Sequence, residues 1–394
     1  MVQRSSTTLP MRTRIDDLEI VDILGIGGYG QVYLAKRDGH PKSYYAIKSL
    51  PQLHIKENQS ALQRTEIGLH SRLSGHPHII KLERVIRTEA YTHVVLEHGP
   101  EGDLFAAITE QDLYSGRHSL IKHVFLQLLD AVAYCHDNGV YHRDLKPDNV
   151  LVFDGGRTIK LADFGLATTQ PISNDYGCGS TFYFSPECQG DIGRNHKRIG
   201  YATAPNDIWA LGVILINLTT GRNPWTQASL TDETFRMYLA DSDFLYKILP
   251  ISLELNRILK RIFCIDPFRR IGIEELRHRI LKCKYFTRTA EVEEYERYLQ
   301  ATSRLMPIVQ LPPSPLPSPC RSRSSFLKHH QTKHGEDKPK TKKTNFATTA
   351  KLLRHDKEDH ASKGKGCIVQ ETFCMANKTD ASDTLLSNFL TLVV

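Results

Sequence analysis

The chain has 394 residues, of which 40% are hydrophobic and 24% charged, a composition typical of soluble globular proteins and unlike that of a disordered chain. Its net charge of +7 comes from residues 321–366, which hold 13 Lys and Arg against 5 Asp and Glu, so the remainder is nearly neutral and nucleic-acid binding is disfavoured. The eight cysteines form no C-x-x-C pair, which argues against a zinc site and favours reduced, intracellular thiols.

Targeting and membrane signals are absent from the sequence pattern. Residues 1–14 lack the apolar core of a secretory signal, and the longest apolar run, residues 208–218, is too short to span a bilayer. We therefore expect a cytoplasmic and/or nuclear protein with no transmembrane segment, in which the apolar run forms a buried helix.

The first predicted elements are strands. Residues 18–50 alternate apolar and polar positions and carry β-branched and aromatic side chains, which predicts three antiparallel strands joined by turns at Gly27-Gly28 and Asp38-Gly39. Two more strands are predicted in HIIKLERVIRT and THVVLEH. Between the two groups, residues 58–73 have helical spacing, with the apolar members Leu62, Ile67, Leu69 and Leu73.

The pattern becomes helical after Gly102. Apolar spacing predicts helices over residues 104–111 and 118–138, and helices dominate from Pro205 to about Phe286. These segments together predict an α+β fold, in which a small β-rich N-lobe is followed by a larger helical C-lobe.

The expected domain organisation follows from these changes in composition. It consists of an N-terminal extension over 1–17, a two-lobed domain over 18–286 (lobes 18–98 and 99–286), a helical extension over 287–304, and a tail over 305–394. The tail is rich in Pro and Ser and then basic, so it cannot bury enough apolar surface to offset chain entropy and is expected to be disordered. Its PPSPLPSP segment suits regulatory partners that bind extended proline-rich peptides, phosphorylation, or a plain linker role.

A glycine-rich segment, LGIGGYGQVYLA, contains Gly25, Gly27 and Gly30 in G-x-G-x-x-G spacing. A dinucleotide-binding fold requires a helix after such glycines, whereas a strand is predicted here, and the Gly-Lys-Ser/Thr of a P-loop is missing. Glycines between two strands let the backbone approach phosphates and present N–H groups to them. A simple glycine-rich hairpin is the alternative.

Lys48 lies inside the apolar strand YYAIKSL. An isolated buried ammonium group is costly, so Lys48 needs a carboxylate partner. Glu66, on the following helix, is the candidate. The alternative is a surface lysine whose aliphatic stem covers apolar neighbours.

Two charged segments complete the candidate site. VYHRDLKPDNVLV contains Asp144, which can orient a hydroxyl and accept its proton, Lys146, which can neutralise a phosphoryl group, and Asn149, which offers a neutral oxygen to a metal ion. LADFGLA follows, with Asp163 placed as a ligand for Mg²⁺. Taken singly, each segment is equally compatible with a solvated turn.

The joint order and spacing of these features resemble the eukaryotic protein kinases over residues 18–286. The position of Lys146, two residues after Asp144, resembles the pattern of the serine/threonine kinases. Later landmarks agree with the resemblance, which implies that Asp207 anchors the catalytic loop, that Glu187 forms a buried ion pair with Arg270, and that Ser180 contacts Asp144.

The resemblance implies that ATP lies between the lobes and that Mg²⁺ is held by Asn149 and Asp163. Lys48, held by Glu66, would bind the α- and β-phosphates, Asp144 would align a Ser or Thr hydroxyl of a protein substrate, and Lys146 would stabilise the phosphoryl group in transfer. The residues implied around the nucleotide are Leu24, Gly25, Gly27, Gly30, Val32, Ala46, Lys48, Glu97, Gly99, Asp103 and Leu151.

A narrower resemblance concerns residues 177–188, GCGSTFYFSPEC, which are similar to a fungal group of nutrient-responsive and meiosis-restraining serine/threonine kinases. This implies a role in the choice between growth and sexual differentiation. The competing class is a pseudokinase that acts as a scaffold or binding protein. It would be indicated by loss of Lys48, Asp144, Asn149 or Asp163, and all four are present.

Three further features leave alternatives open. Arg143 precedes Asp144, a pattern often coupled to phosphorylation of the following segment, where the candidates are Thr168, Thr169, Ser173 and Tyr176, and constitutive activity is the alternative. Asp103 and Asp148 predict a mild preference for basic substrates, although Asn217 replaces an acid used by some basophilic kinases. His70, His76 and His78 lie close in sequence, and a structural role is favoured over a metal site.

Overall fold

The computed structural model describes residues 8–27, 30–40, 43–52, 57–190 and 200–305. The Pro/Ser-rich and basic tail beyond residue 305 lies outside the described residues, as does Gly28 of the glycine-rich segment. The described chain has the two-lobed α+β architecture expected from the sequence: a β-sheet lobe with one long helix, followed by a helical lobe.

The N-lobe is built on a six-stranded antiparallel sheet in the order β1-β2-β3-β4-β6-β5. The bounds are β1 Arg14–Ile15, β2 Leu18–Gly27, β3 Gly30–Arg37, β4 Tyr44–Pro51, β5 Leu82–Arg87 and β6 Tyr91–Glu97. Alternate residues of β3 are buried, as the alternation in the sequence predicted. One face of the sheet packs into a small core of Ile15, Leu18, Ile20, Tyr33, Ala35, Ile47 and Val95.

Helix α1, Glu57–Leu73, lies between β4 and β5 and agrees with the predicted helix. Its burial differs from the predicted apolar pattern, because Leu62 is 55% exposed. The buried residues Leu69, His70 and Leu73 all lie in the C-terminal part of the helix, so only that part contacts the hydrophobic core.

The C-lobe contains the remaining elements. Its helices are α2 Leu104–Thr109, α3 His118–Asp137, α4 Pro186–Gln189, α5 Thr203–Thr220, α6 Glu233–Ala240, α7 Phe244–Ile248, α8 Leu253–Ile262, α9 Ile273–Lys282 and α10 Ala290–Leu305. Short strands form two antiparallel pairs, β7 Val150–Phe153 with β8 Thr158–Leu161, and β9 Ile172–Ser173 with β10 Tyr201–Ala202.

Helix α5 is the central helix of the C-lobe core, and residues 206–219 are all buried. The apolar run at 208–218 therefore forms a buried helix, as predicted. Trp209 packs edge-on against Phe263, and a Cβ on Gly212 would collide with Ile262, which explains the close approach of α5 to α8. Within the described residues, no helix combines the length and the apolar character needed to cross a membrane.

Two observations bear on the ends of the folded region. Strand β1 pairs with β2 through Ile15 and Leu18, so ordered pairing begins inside the segment assigned to an N-terminal extension. At the other end, Glu296 of α10 accepts a hydrogen bond from the N–H of Leu253 at 2.8 Å, which attaches the last helix to the start of α8. The domain limits at 18 and 286 stay predictions.

Candidate active site

Lys48 lies in β4 opposite Val32 of β3, and its side chain is 15% exposed. Its Nζ is 2.6 Å from Oε1 of Glu66 on α1 and 2.9 Å from Oδ1 of Asp163. The predicted Lys48–Glu66 pair is thus present, and the surface-lysine alternative is wrong. The two contacts connect the sheet, the helix and the loop after β8 through one cation.

The pKa values of this triad reflect opposing effects of burial and charge. Burial by itself lowers the pKa of Lys48, but the charges of Asp163 and Glu66 outweigh it, so the pKa is raised and the ammonium form is retained. Burial by itself raises the pKa of Asp163, but the charge of Lys48 lowers the pKa by more than burial raises it, so the carboxylate stays ionised. For Glu66, burial prevails over Lys48 and the pKa is raised.

The loop that carries Asp144 is bonded to Asp207 of α5. One carboxylate oxygen of Asp207 accepts the backbone N–H of His142 and the other accepts that of Arg143, both at 2.9 Å. Arg143 has φ +65°, a conformation that costs energy for a non-glycine residue and is maintained by these contacts. Asp207 therefore anchors the loop, as the resemblance implied.

Asp144 lies in a hydrogen-bond network with Ser180, Lys146 and Asn149. Ser180 donates its hydroxyl to Oδ1 of Asp144 at 2.8 Å, and Lys146 donates to the hydroxyl oxygen of Ser180 at 3.0 Å. Asn149 donates its amide to the carbonyl oxygen of Asp144 at 2.8 Å and to Oδ2 at 3.1 Å. Both bonds use the Nδ2 group of Asn149, so its Oδ1 is available as an acceptor or a metal ligand.

Asp163 occupies a strained turn after β8. Its φ of +57° lies in the left-handed region, and its Oδ1 accepts the N–H of Gly165 at 3.3 Å. The next residue, Phe164, is fully buried between two histidine rings, with centroid distances of 4.9 Å to His70 and 5.1 Å to His142. The buried Phe164 fixes the loop from which the Asp163 carboxylate extends.

Four of the residues that the resemblance places around a nucleotide have apolar or close-packed surroundings. Ala46 is buried on β4, and Val32 is half-buried on β3. A Cβ on Gly99 would lie 3.0 Å from the Leu151 side chain, so a larger residue would fill this space. A Cβ on Gly30 would lie 2.6 Å from the carbonyl oxygen of Ser49, which shows why β3 begins with glycine.

Some predicted residues have structural contacts beside the implied binding role. Leu24 is 47% exposed at the start of the glycine-rich segment. Glu97 pairs with Lys160 at 2.5 Å, so a nucleotide would meet its backbone rather than its carboxylate. Asp103 caps α2 by accepting the N–H of Ala106 at 2.8 Å, which occupies one of its two carboxylate oxygens.

The supporting contacts of the C-lobe also match expectation. The Arg270 guanidinium, whose side chain is 0% exposed, bonds both carboxylate oxygens of Glu187 at 2.5 and 3.0 Å.

The three histidines that lie close in sequence have structural contacts. His70 bonds the carbonyl oxygen of Ile80 at 2.7 Å, and the rings of His76 and His78 contact each other edge-on. Among the described residues, no group of three or more His, Cys, Asp or Glu side chains is arranged to hold a metal ion.

Sequence reasoning missed three features of this region. It did not find the left-handed backbone at Arg143 and Asp163, the packing of Phe164 between His70 and His142, or the contact between Arg143 and Asp175. For the packing of Phe164, the one available signal was His70, a polar residue close in sequence to the apolar Leu69 and Leu73 of α1.

The two-lobed fold and the charged groups in its cleft are those of a protein kinase. Residues 18–282 match the protein kinase domain, and the chain belongs to the protein kinase family.

Several relatives of the chain are fungal proteins. The chain is 49% identical over 289 residues to the "Negative regulator of sexual conjugation and meiosis" of Schizosaccharomyces pombe, a match covering 69% of this chain and 61% of the relative. It is 34% identical over 280 residues to "Serine/threonine-protein kinase ksp1" of the same organism, covering 69% and 58%. It is 36% identical over 251 residues to "Serine/threonine-protein kinase VHS1" of Saccharomyces cerevisiae, covering 61% and 54%. The chain thus matches 54–61% of the length of these relatives.

Proposed function

We propose that the chain is a serine/threonine protein kinase that transfers the γ-phosphoryl group of ATP to Ser or Thr hydroxyls of proteins. The observation that carries this proposal is the pairing of Lys48 with both Glu66 and Asp163, 2.6 and 2.9 Å away. Asp144 and Asn149, which are bonded to each other in the loop anchored by Asp207, supply the remaining groups. The pseudokinase alternative is not supported, because all four residues whose loss would indicate it are retained in bonded positions.

The chain's own groups divide the work. Lys48, kept cationic by its two carboxylate neighbours, would bind the α- and β-phosphates. Asp144, oriented by Ser180 and Asn149, would accept a hydrogen bond from the substrate hydroxyl and then its proton. Lys146 lies 3.6 Å from Asp144 and would oppose negative charge on the transferred group. In such reactions catalysis is mainly positioning and electrostatics.

A divalent cation fits the donors that face the cleft, and we propose Mg²⁺. Asp163 offers an ionised carboxylate and Asn149 a neutral amide oxygen, which are the hard oxygen ligands that this ion prefers. When bound, Mg²⁺ would neutralise charge on the nucleotide phosphates. EDTA is expected to abolish phosphoryl transfer, and Mg²⁺ to restore it.

Substrate preference and cellular role are finer proposals. Asp148 is exposed on the catalytic loop, and only one of the two carboxylate oxygens of Asp103 is used in capping α2. These two acidic residues support a mild preference for Arg or Lys before the phosphorylated residue of the substrate. Asn217 is engaged internally, with its amide donating to Arg222 and Asn223 at 2.8 Å, so it adds no acidic group. A peptide library without upstream enrichment of Arg or Lys would contradict this preference.

The similarity to a negative regulator of conjugation and meiosis supports a role in the choice between growth and sexual differentiation. We propose a cytoplasmic and/or nuclear location and regulatory partners for the tail.

The test is phosphorylation of a Ser/Thr peptide library by the purified chain with Mg²⁺ and ATP. Asp144→Asn should lower kcat by at least about 100-fold, because the acceptor of the hydroxyl proton is lost, with little change in ATP affinity. Asp38→Asn, which removes an exposed carboxylate paired with Arg14 in the N-lobe, is the matched control and should retain activity. Wild-type protein that binds ATP and phosphorylates nothing would refute the proposal.

A further inference from the structure

Arg143 precedes Asp144, and only 9% of its side chain is exposed. Its Nε donates to the carbonyl oxygen of Leu166 at 2.7 Å, and its Nη1 donates to the hydroxyl of Ser173 at 3.0 Å. These neutral acceptors satisfy hydrogen bonds but do not balance the positive charge. A largely enclosed guanidinium group is costly unless a negative group pairs with it.

Asp175 provides that negative group, with its Oδ2 3.0 Å from Nη1 of Arg143. The backbone on both sides holds it there. The N–H of Asp175 donates to the Ser173 hydroxyl at 3.1 Å, Ser173 pairs with Tyr201 between β9 and β10, and the N–H of Gly177 donates to a carbonyl of α4 at 2.9 Å. These contacts hold the backbone of Asp175 beside Arg143, and its carboxylate reaches the guanidinium from a side chain that is 71% exposed.

The same segment reaches the proposed catalytic groups a few residues later. A Cβ on Gly179 would lie 2.5 Å from the carbonyl oxygen of Arg143, and Gly179 has φ +114°, so the chain passes directly against the loop. Ser180 then donates to Asp144. The segment is thus attached to the catalytic loop at several points, and among them the Asp175–Arg143 pair joins two opposite charges.

Neighbouring hydroxyl groups are less suited to carry a phosphate to Arg143. Ser173 is 0% exposed, so it cannot be modified without opening the β9–β10 pair. The Tyr176 hydroxyl accepts the N–H of Gly200 at 2.8 Å. Thr168 is tied to Tyr141 by two backbone hydrogen bonds. Thr169 and Thr181 are exposed, but in the described structure the Arg143 guanidinium bonds Asp175 and not either of these hydroxyl groups.

We propose that Asp175 is a positioning residue that supplies, without modification, the negative charge that Arg143 needs to hold the catalytic loop and residues 163–187 together. A phosphate on this segment would supply that charge in the phosphorylation-dependent arrangement suggested by an arginine before Asp144. Here a carboxylate of the chain does so, and the unmodified protein is the active form. This inference rests on the proposed kinase activity.

The experiment compares phosphate-free protein with variants at Asp175. Wild-type protein is treated with a phosphatase, its intact mass is checked for the absence of phosphate, and initial rates on a Ser/Thr peptide should stay within about twofold of the untreated protein. Asp175→Asn should lower kcat about tenfold with little change in KM for ATP, because Asp144 loses alignment while the nucleotide contacts remain. Asp175→Glu, which keeps the charge, should recover most of kcat, and Asp38→Asn should have no effect.

Two outcomes would overturn the inference. One is phosphate-free wild type that is at least about tenfold slower and recovers when a phosphate is mapped to Thr168, Thr169, Ser173 or Tyr176. The other is folded Asp175→Asn with wild-type kcat. The phosphatase comparison needs no variant, so it decides the matter even if Asp175→Asn were unstable. Failure of the proposed function would be distinct, since neither the phosphorylated nor the phosphate-free wild type would then transfer phosphate.

Discussion

His70 is a buried histidine whose replacement should change how stability depends on pH. Its ring packs against Phe164, and its Nε2 bonds the carbonyl oxygen of Ile80 at 2.7 Å, which requires Nε2 to be the donor. The pKa of His70 is lowered from 6.5 to about 4, mainly by burial and also by Lys48 and His142, which together outweigh the raising effects of the Ile80 hydrogen bond and of Asp163. The folded protein therefore holds His70 neutral where the unfolded chain would bind a proton.

The sign and size of the effect follow from this difference. As pH falls from 6.5 towards about 4, unfolding takes up a proton at His70, so the free energy of unfolding decreases with falling pH. Lowering the pKa of His70 from 6.5 to about 4 corresponds to a change of about 3 kcal/mol in the free energy of unfolding, of which about 2 kcal/mol is lost by about pH 5. Above about pH 7.5 the contribution of His70 to the pH dependence is negligible.

The perturbation is His70→Gln, which removes the titrating ring but keeps an N–H donor for Ile80. Urea unfolding followed by circular dichroism would measure the free energy of unfolding of both proteins between about pH 7.5 and about pH 5. Relative to the variant, wild type should lose about 2 kcal/mol across this range. His123→Gln, at an exposed position on α3, controls for loss of a histidine as such.

A difference between wild type and His70→Gln that stays constant across the pH range would refute this reasoning. It would mean that His70 takes up its proton equally in the folded and unfolded chains. Other groups that titrate in acid, such as the paired carboxylates, are present in both proteins and cancel in the comparison.

The remaining predictions concern buried contacts. Arg270→Ala should lower the free energy of unfolding by about 3–5 kcal/mol in urea titrations, because Glu187 is left without its partner. Arg279→Ala, at an exposed ion pair, should cost less than about 1 kcal/mol, and equal effects would contradict the assigned burial. Ser180→Ala should lower kcat about tenfold at unchanged KM for ATP, because the hydroxyl that orients Asp144 is lost, whereas Ser180→Thr should retain activity. Full activity of Ser180→Ala would show that this contact does not position Asp144.

The elements that depend on local pattern were predictable. Alternation over residues 18–50 correctly predicted β2, β3 and β4, because successive side chains of a strand point to opposite faces. Helical spacing likewise located α1, although it did not reveal that Leu62 is exposed. That exposure depends on how far the hydrophobic core extends along the helix, which spacing alone does not encode.

Part of the site was predictable for a chemical reason. A lysine in an apolar strand requires a carboxylate, and this requirement predicts Glu66 as its partner from the sequence alone. The companion contact of Lys48 with Asp163 joins residues 115 positions apart, and the sequence did not predict it. Roles in catalysis stay predictions until the substitutions are measured.

The residue types, their order and their short-range periodicity determined the kind of fold and the class of chemistry, because hydrophobic alternation and the cost of burying charge act on every chain in the same way. The tertiary structure decided which distant groups meet: Asp175 with Arg143, His70 with Phe164, and Lys48 with Asp163. It also decided the left-handed backbone at Arg143 and Asp163. Such pairings depend on the packing of separate elements, and neither composition nor spacing specifies the distance between residues that lie far apart in the chain.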